Sequence, residues 1–523
     1  MLLRVISVDY PLLNTESLKK RYIAKLSANL VGLGINLVTQ TIIPRGLGPK
    51  AYGDFNFLTN FFTQITGFLD MGTSIGFYTK LSQRQQDFGL ISFYLSFTGI
   101  VSFIIVILVW CIHVAGAYTT LLPDQDLFFI YLAAGWGILV WFVQVLNKMA
   151  DAYGVTISTE VARIIQKGLG LAIILALFLM KQLNLTNFFF YNYFIFIFLG
   201  LAFIWVMERS GRSLFRAWKL THNQIKAYAK EFYSYSHPLL VYALIGLVVG
   251  VLDRWMLQRF SGSVEQGFYG LSYQIGAICF LFTSAMTPLI TREFSIAFGE
   301  KNLLEMSRLF RRYIPMLYAI AAYFACFIAV ESRKVTVIIG GGQFYQAVVP
   351  VAIMAFYPIH QTYGQLSGSV FYATGQTALY RNIGIISMLV GLPVAYFLIA
   401  PRHMLGLDAA ATGLAIKMVA IQFIGVNIQL WFNARFLKLR FWRYFAHQIV
   451  CIASLLFLAF LSSGVVDNLG LSGNILISFL ISGLLYSCMV MVLIYFAPVI
   501  FGLQKDDITK LVARGRRTIF RGI

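Results

Sequence analysis

Long apolar runs alternate with short polar segments along the whole chain. Each run is charge-poor and about 20 residues long, enough to cross a hydrocarbon core about 30 Å thick. Because lipid offers no partner to an unpaired backbone amide, each run is predicted to be an α-helix. The fourteen predicted spans are 22–44, 54–78, 90–114, 127–149, 156–180, 186–207, 235–258, 268–291, 313–331, 346–369, 382–400, 409–434, 446–465 and 473–500. The predicted fold class is an all-α polytopic membrane protein.

The composition agrees with this interpretation. Of 523 residues, 59% are hydrophobic and only 12% are charged, whereas soluble domains carry about 25% charged residues. A large soluble all-α protein is therefore excluded. The five cysteines lie singly inside apolar runs, so no disulfide framework or metal site is predicted.

The distribution of positive charge predicts the topology. If both termini are cytoplasmic, the cytoplasmic segments contain 30 of the 41 Lys and Arg residues and the outer loops contain 7. This asymmetry follows the positive-inside rule. The net charge of +20 is spread over many segments, which indicates contact with anionic membrane lipids and argues against a nucleic-acid partner.

Two weak matches indicate an internal duplication. "AYGDFNF" resembles "GFYGLSY" with Gly53 and Gly270 equivalent, an offset of 217, and Gly154 is equivalent to Gly375, an offset of 221. An even number of spans in each copy predicts parallel repeats. The predicted organisation is an N-terminal cytoplasmic arm 1–21, an N-lobe 22–208 of six spans, a basic cytoplasmic linker 209–234, a C-lobe 235–434 of six spans, accessory spans 446–500 and a basic cytoplasmic tail 501–523.

The stretch "PRGLGPKAYGDFNFL", 44–58, separates the first two spans. Pro44 is predicted to end the first helix, and Gly46, Gly48 and Gly53 are predicted to form a tight outer turn.

Polar residues follow single helical faces within several apolar spans, where hydrocarbon would penalise them. A hydrated central cavity between the two lobes is the favoured explanation, and helix packing through small polar residues is the alternative. The candidate cavity residues on these faces are Lys25, Asn29 and Asn36 in span 1, Asn60 in span 2, Tyr273 in span 8 and His360 in span 10. The face of span 2 also contains Asn56, Thr63, Gly67, Asp70 and Ser74, and that of span 10 also contains Gly364, Ser367 and Thr374.

Charged residues within the spans point to an anionic substrate. Arg163 and Lys167 share one face of span 5 with Glu160, and Lys417 is deep in span 12. Cations at such depth mark a site or path for an anion, although Glu160 and Arg163 could also pair internally.

The buried acids are candidates for ion coupling. Asp70 and Asp253 join Glu160 in this group, although Asp253 could instead pair with its neighbour Arg254, or both could lie at the outer interface.

Motifs for catalysis are missing from the sequence. It contains no GxxxxGK[ST], HExxH or GxSxG, and "GGGQF" at 340–344 falls in a predicted outer loop. We therefore expect a protein that is not an enzyme and that uses no cofactor and no metal.

Several motifs together resemble a known transporter family. They are "GLGPKAYGDFNF", "FLDMGTSIGFYTKLS", "VLDRWMLQRFSGSVEQGFYGLSYQI" and "FYATGQTALYRNIGII". The chain resembles the polysaccharide-transporter branch of the multidrug/oligosaccharidyl-lipid/polysaccharide (MOP) exporter superfamily, which includes the Wzx-type flippases.

The resemblance implies two six-helix lobes around a central cavity and alternating access. It also implies a bacterial inner-membrane flippase that moves an undecaprenyl-pyrophosphate-linked oligosaccharide to the outer leaflet. A polysaccharide polymerase and chain-length machinery are further expected partners. The rivals are a flippase for lipid-linked peptidoglycan precursor, a cation-coupled multidrug antiporter of the same fold and, from a different class, a membrane-embedded glycosyltransferase.

Overall fold

The chain is helical throughout the part that the structure describes. The computed structural model describes residues 18–70, 72–211, 220–237, 240–279, 286–470 and 473–503, and these contain helices and turns but no strand. The predicted all-α class is confirmed. Within these residues ten helices are long and apolar enough to cross a membrane. Each predicted span overlaps a helix, and the count of fourteen stays a prediction.

Several predicted segments fall partly outside this description. The linker is undescribed at 212–219, and the predicted spans 54–78, 235–258 and 268–291 include undescribed residues at 71, 238–239 and 280–285. The N-terminal arm is undescribed up to residue 17, and the basic tail is undescribed from residue 504 onward.

The first compact unit comprises 18–47 and 54–255. The helices of this unit are α1 (Leu18–Asp70), α2 (Thr73–Gln83), α3 (Phe88–Val114), α4 (Tyr118–Leu121), α5 (Leu127–Tyr153), α6 (Thr156–Leu179), α7 (Leu185–Arg209), α8 (His222–Ser236) and the beginning of α9 (Leu240–Ile278). Helix α7 packs against α5 and α6, and α5 also packs against α2 and α3.

The second compact unit comprises 48–53 and the described residues from 256 to 503. After α9 the helices are α10 (Thr287–Gly299), α11 (Leu303–Val330), α12 (Ser332–Gly340), α13 (Val348–Met354), α14 (Tyr357–Ala373), α15 (Thr377–Ile399), α16 (Ala410–Phe436), α17 (Phe441–Asn468) and α18 (Ile475–Phe496). Helix α11 lies at the centre of this unit, packed against α10, α14 and α17 around buried aromatic rings such as Phe310, Tyr318 and Tyr363.

The corner between the first two spans differs from the prediction. Pro44 does not end the first helix, because the fixed φ of proline is compatible with helical backbone. Only Gly48 leaves helical geometry, with φ 75° and ψ 169°, so the corner is a single-residue kink within α1. An L side chain rarely adopts this conformation, and the sequence therefore needs glycine here.

The same kink recurs in the second half of the chain. Gly262 has φ 79° and ψ −177° within α9, 214 residues after Gly48. The two corners contact each other reciprocally through their backbones. A Cβ at Gly53 would overlap the carbonyl of Ser263, and a Cβ at Gly267 would overlap the carbonyl of Pro49.

These contacts correct the register of the first sequence match. Pro49 is equivalent to Ser263 and Gly53 to Gly267, so the offset is 214 and the predicted offset of 217 was wrong. The second match agrees with the structure, because Gly154 and Gly375 both have positive φ and both separate consecutive helices.

The last two helices are attached to α11. The ring of Tyr486 in α18 stacks on Tyr323 and Phe327, with centroids 5.0 and 5.2 Å apart. The Tyr486 hydroxyl donates a hydrogen bond to the carbonyl of Tyr323 at 3.0 Å. In α17, the Gln448 amide donates to Asn427 Oδ1 in α16 at 3.0 Å.

Candidate substrate site in the membrane helices

Asp70 is a highly connected polar residue of the first unit. Its carboxylate accepts five hydrogen bonds, from the Thr73 hydroxyl (3.1 Å), the Ser74 amide (3.2 Å) and hydroxyl (2.9 Å), the Tyr94 hydroxyl (3.1 Å) and the Trp141 indole N–H (3.3 Å). These donors belong to α2, α3 and α5. Asp70 therefore joins the end of α1 to three other helices.

A cavity of about 110 Å³ adjoins Asp70. Thr63, Gly67 and Ser74, which share the predicted polar face of span 2, line it together with Asp70. The rest of that lining comes mainly from α5. The polar face of span 2 thus faces a small polar cavity in the described structure.

Lys148 is a cavity residue that the sequence analysis missed. It lies at the end of the predicted span 127–149 and is not a candidate there, but α5 continues to Tyr153, and Lys148 lines the cavity beside Gln144 and Trp141. Its Nζ lies 6.0 Å from the centroid of the Tyr78 ring. The spacing of Trp141, Gln144 and Lys148 places them on one helical face, and this signal could have identified Lys148.

The charged face of α6 is partly paired. Glu160 is buried and accepts a hydrogen bond from Arg163 Nη1 at 3.0 Å. Arg163 Nη2 also donates to Asn147 Oδ1 in α5. The internal pair considered as the alternative is therefore present, and it orients Arg163.

Lys167 has no such partner among the described side chains. It is half-buried on α6, no described carboxylate lies within 4 Å of its Nζ, and the amino group packs against Gly32 in α1. A Cβ at Gly32 would overlap this amino group.

The other candidates of the first unit are dispersed. Asn60 Nδ2 donates to the carbonyl of Gly250 at 3.4 Å, Asn36 is half-buried in α1, and Asp253 is buried in α9. Lys25 and Asn29 belong to α1, and their side chains lie outside the description.

In the second unit, Lys417 and His360 are buried in helix packing. Lys417 is 4% exposed, and a Cβ at Gly391 in α15 would lie 2.9 Å from its Cε. The ring of His360 lies 5.0 Å from that of Phe423 and 6.5 Å from that of Tyr318. His360 is likewise 4% exposed, and its assignment as a cavity residue stays a prediction.

The polar face of span 10 has the same explanation. Ser367 accepts hydrogen bonds from Asn433 in α16, and Gly364 allows close approach of Val426. On this face, Ser367 and Gly364 contribute to helix packing, which is the alternative explanation to a hydrated cavity.

Tyr273, in contrast to His360 and Lys417, has an exposed side chain. Its side chain is 43% exposed, and its ring lies 6.3 Å from that of Tyr357.

A polar cluster attaches α8 to α2 and α3. Glu231 pairs with Lys80 and with Arg84, both at 2.7 Å, and the Tyr228 hydroxyl donates to Asp87 at 2.6 Å. The hydrogen bond from Lys80 lowers the pKa of Glu231 below its usual value, and Arg84 contributes in the same direction. Burial raises the pKa of Tyr228 to about 12, with a further contribution from Asp87.

Comparison with known families decides the membership of the chain. The model of the family described as "Polysaccharide biosynthesis protein" matches residues 18–292, more than half of the sequence. The chain belongs to this family. No curated protein sequence matches it.

Solved transporter structures share the fold of this family member. The lipid II flippase MurJ in an inward closed conformation superposes with a TM-score of 0.64 at 12% identity, covering 92% of this chain and 99% of MurJ. An inward-facing multidrug resistance MATE family transporter of the MOP superfamily gives 0.58 at 14% identity, covering 80% and 98%. A MOP superfamily transporter from Pyrococcus furiosus Vc1 gives 0.51 at 13% identity, covering 81% and 97%. The chain is thus a multi-pass membrane protein with the MOP transporter fold.

Proposed function

We propose that this protein is a flippase for a lipid-linked oligosaccharide. The substrate is a saccharide on undecaprenyl pyrophosphate, such as an O-antigen or exopolysaccharide repeat unit. Alternating access moves it from the cytoplasmic to the outer leaflet of the bacterial inner membrane, and both termini are cytoplasmic. No covalent bond is made or broken.

The observation that carries this proposal is a pair of cations in apolar helices of the first unit. Lys148 lines the polar cavity beside Asp70, and Lys167 packs against Gly32; neither has a described carboxylate within 4 Å. An ammonium group in a membrane helix is costly unless it meets a charge or water. A pyrophosphate head group supplies that charge, whereas a cationic drug would be repelled.

Other groups have supporting roles in this proposal. Arg163, oriented by Glu160 and Asn147, adds a second donor on the face of Lys167. Asn36, Asn60 and the exposed Tyr273 offer amide and aromatic surfaces to sugar rings, and Lys25, Asn29, His360 and Lys417 complete the proposed candidates. Asp70, Asp253 and Glu160 are the proposed coupling acids.

Transport of defined substrates tests the proposal directly. We expect purified protein in liposomes to move a fluorescent prenyl-pyrophosphate oligosaccharide, and Lys148→Gln or Lys167→Gln to slow this movement. Losing one charged contact to phosphate costs about 1.5–3 kcal/mol, which corresponds to roughly a tenfold to hundredfold loss of affinity. Lys181→Gln, in an exposed turn after α6, is the matched control.

Cell phenotype separates the rivals. Deletion of a polysaccharide flippase should remove the surface glycan and leave intact cells, whereas loss of an essential peptidoglycan-precursor flippase should cause lysis. Movement of cationic dyes without movement of the glycolipid would contradict the proposal and favour the multidrug antiporter.

A further inference from the structure

The two glycine-rich motifs of the sequence meet at a cavity of about 500 Å³ in the second unit. Lys50 and Phe268 come from the corners of α1 and α9, and Gln343, Tyr345 and Gln346 come from the "GGGQF" segment and the residues after it. The volume falls within the range of about 300–1,000 Å³ that is usual for small-molecule sites. None of these residues belongs to the site in the first unit.

The walls of this cavity are held by backbone geometry and by one buried ring. Gly48 and Gly341 have φ 75° and 78° with ψ 169° and 179°, a region that glycine alone adopts readily. Phe344 is fully buried, and its ring centroid lies 6.0 Å from those of Tyr52 and Phe268. The 3₁₀ helix Gly342–Ala347 is thereby fixed to both corners.

The groups around the opening are those that bind sugars. Tyr345 is 53% exposed, and the Arg333 guanidinium lies 5.6 Å from its ring centroid. Gln343 and Gln346 carry amides that donate and accept hydrogen bonds, as vicinal hydroxyls require. Lys50 adds a donor with a positive charge, and the Tyr345 ring offers a flat apolar surface.

We propose that this cavity binds the saccharide of the transported glycolipid on the outer side of the membrane. Binding of a saccharide follows from the chemistry of the cavity. Its place on the outer side rests on the proposed function and topology, in which Lys50 and Arg333 belong to outer segments. A free phosphate or lipid head group would use Lys50 but would not need the two amides or the aromatic ring.

Photo-crosslinking to a soluble saccharide tests the site without transport. The full-length protein in nanodiscs carries p-benzoylphenylalanine at Gln346, and the probe is a labelled oligosaccharide mixture released by mild hydrolysis from the producing cell's own surface polysaccharide. We expect a saturable adduct at Gln346. The same photoreactive residue at Leu405, which is 85% exposed in another predicted outer loop, should give none.

Variants of the lining make the test specific. Tyr345→Ala should raise the half-saturating concentration at least tenfold and Lys50→Gln severalfold, while Leu407→Ala, on the exposed 400–409 loop, should leave it unchanged. An adduct of equal yield at Leu405, no adduct at Gln346, or competition by inorganic pyrophosphate with no effect of Tyr345→Ala would each overturn the proposal.

The outcomes also separate this inference from the proposed function. Normal glycolipid transport without a saccharide adduct would overturn the outer site alone. A saturable adduct at Gln346 in a protein that moves no glycolipid would support saccharide binding, contradict the flippase and overturn the assignment to a transported glycan.

Discussion

Lys167 shows how one small residue can position a charge within a membrane helix. Its amino group packs against Gly32, while a Cβ at Gly34, two residues later in the same helix, would meet no heavy atom of the described residues within 4 Å. The two glycines therefore form a matched pair. Gly32→Ala should displace the Lys167 ammonium, whereas Gly34→Ala should leave it in place.

We expect Gly32→Ala to slow glycolipid transport severalfold with little change in thermal stability. The lysine end is flexible and moves at low cost, so the fold should tolerate the methyl group, but the ammonium would leave its position. Gly34→Ala should transport like wild type. Liposome flux and a melting curve in detergent measure both effects, and equal flux in the two variants would contradict the assigned role of Lys167.

Asp70 is the second residue at which one group has a large effect. We expect Asp70→Asn to lower the melting temperature clearly, because hydrogen bonds to a charged acceptor contribute about 1.5–3 kcal/mol each and are not additive. The asparagine side chain would also replace one accepting oxygen by an NH2 group, which would face the hydroxyl and N–H groups that donate to Asp70. Asp126→Asn is the control, since Asp126 is exposed and, among the described residues, its side chain accepts no capping hydrogen bond from the first turn of α5. A similar melting temperature in both variants would refute the structural role of Asp70.

At the scale of elements, the docking of α8 depends on charge. Glu231 has a lowered pKa because Lys80 and Arg84 donate hydrogen bonds to it. A lowered folded-state pKa means that the stabilisation is complete above the ordinary value of 4.5 and is lost as pH falls through the lowered value. The pairs are partly exposed, so their contribution is at most about 1 kcal/mol.

Hydrogen exchange of the α8 amides should detect this contribution. At neutral pH we expect Glu231→Gln to accelerate exchange in 222–236 up to about fivefold relative to wild type, in line with that limit. The ratio should fall toward one as the pH falls from 4.5 through the lowered pKa of Glu231, and also at high salt. Glu300→Gln, an exposed acid elsewhere, should give a ratio of one throughout. A ratio that does not change with pH would exclude the ionic explanation.

At the scale of the whole molecule, the two equivalent glycine corners of the repeat contact each other within the second unit. Gly53 and Gly267 each face a backbone carbonyl of the other corner, and backbone has no flexible end that can move aside. We expect Gly53→Ala and Gly267→Ala each to abolish monodisperse protein in size-exclusion chromatography. Gly246→Ala in α9, where a Cβ would meet no atom within 4 Å in the described part of the chain, should behave like wild type. Normal folding of either corner variant would contradict the reciprocal contact.

Topology is the second property of the whole molecule that can be measured. Single cysteines in a cysteine-free background should label from the cytoplasm at Asn223 in α8 and from outside at Leu405, both of which are exposed. The expectation rests on the concentration of Lys and Arg in the segments assigned to the cytoplasm. Labelling of Asn223 from outside would reverse the predicted orientation.

The sequence by itself determined the class and the approximate position of the helices. Transfer of an apolar run into lipid is a sum over about 20 residues and does not depend on which neighbours pack against the run. The shared face of Glu160, Arg163 and Lys167 also follows from the sequence, because positions i, i+3 and i+7 lie on one side of any α-helix. The sequence also indicates a glycine-dependent corner that includes Gly48, but it does not show that the corner is a single-residue kink within a continuous helix.

The tertiary structure decided which polar groups meet. Lys148 is not a candidate from the sequence, yet it lines the cavity beside Asp70, and the ring of His360 packs against that of Phe423, because both environments depend on segments far away in the chain. The register of the repeat was likewise settled by the contacts of Gly53 and Gly267. These outcomes depend on pairwise contacts between residues far apart in the chain, and hydropathy along one segment contains no information about them.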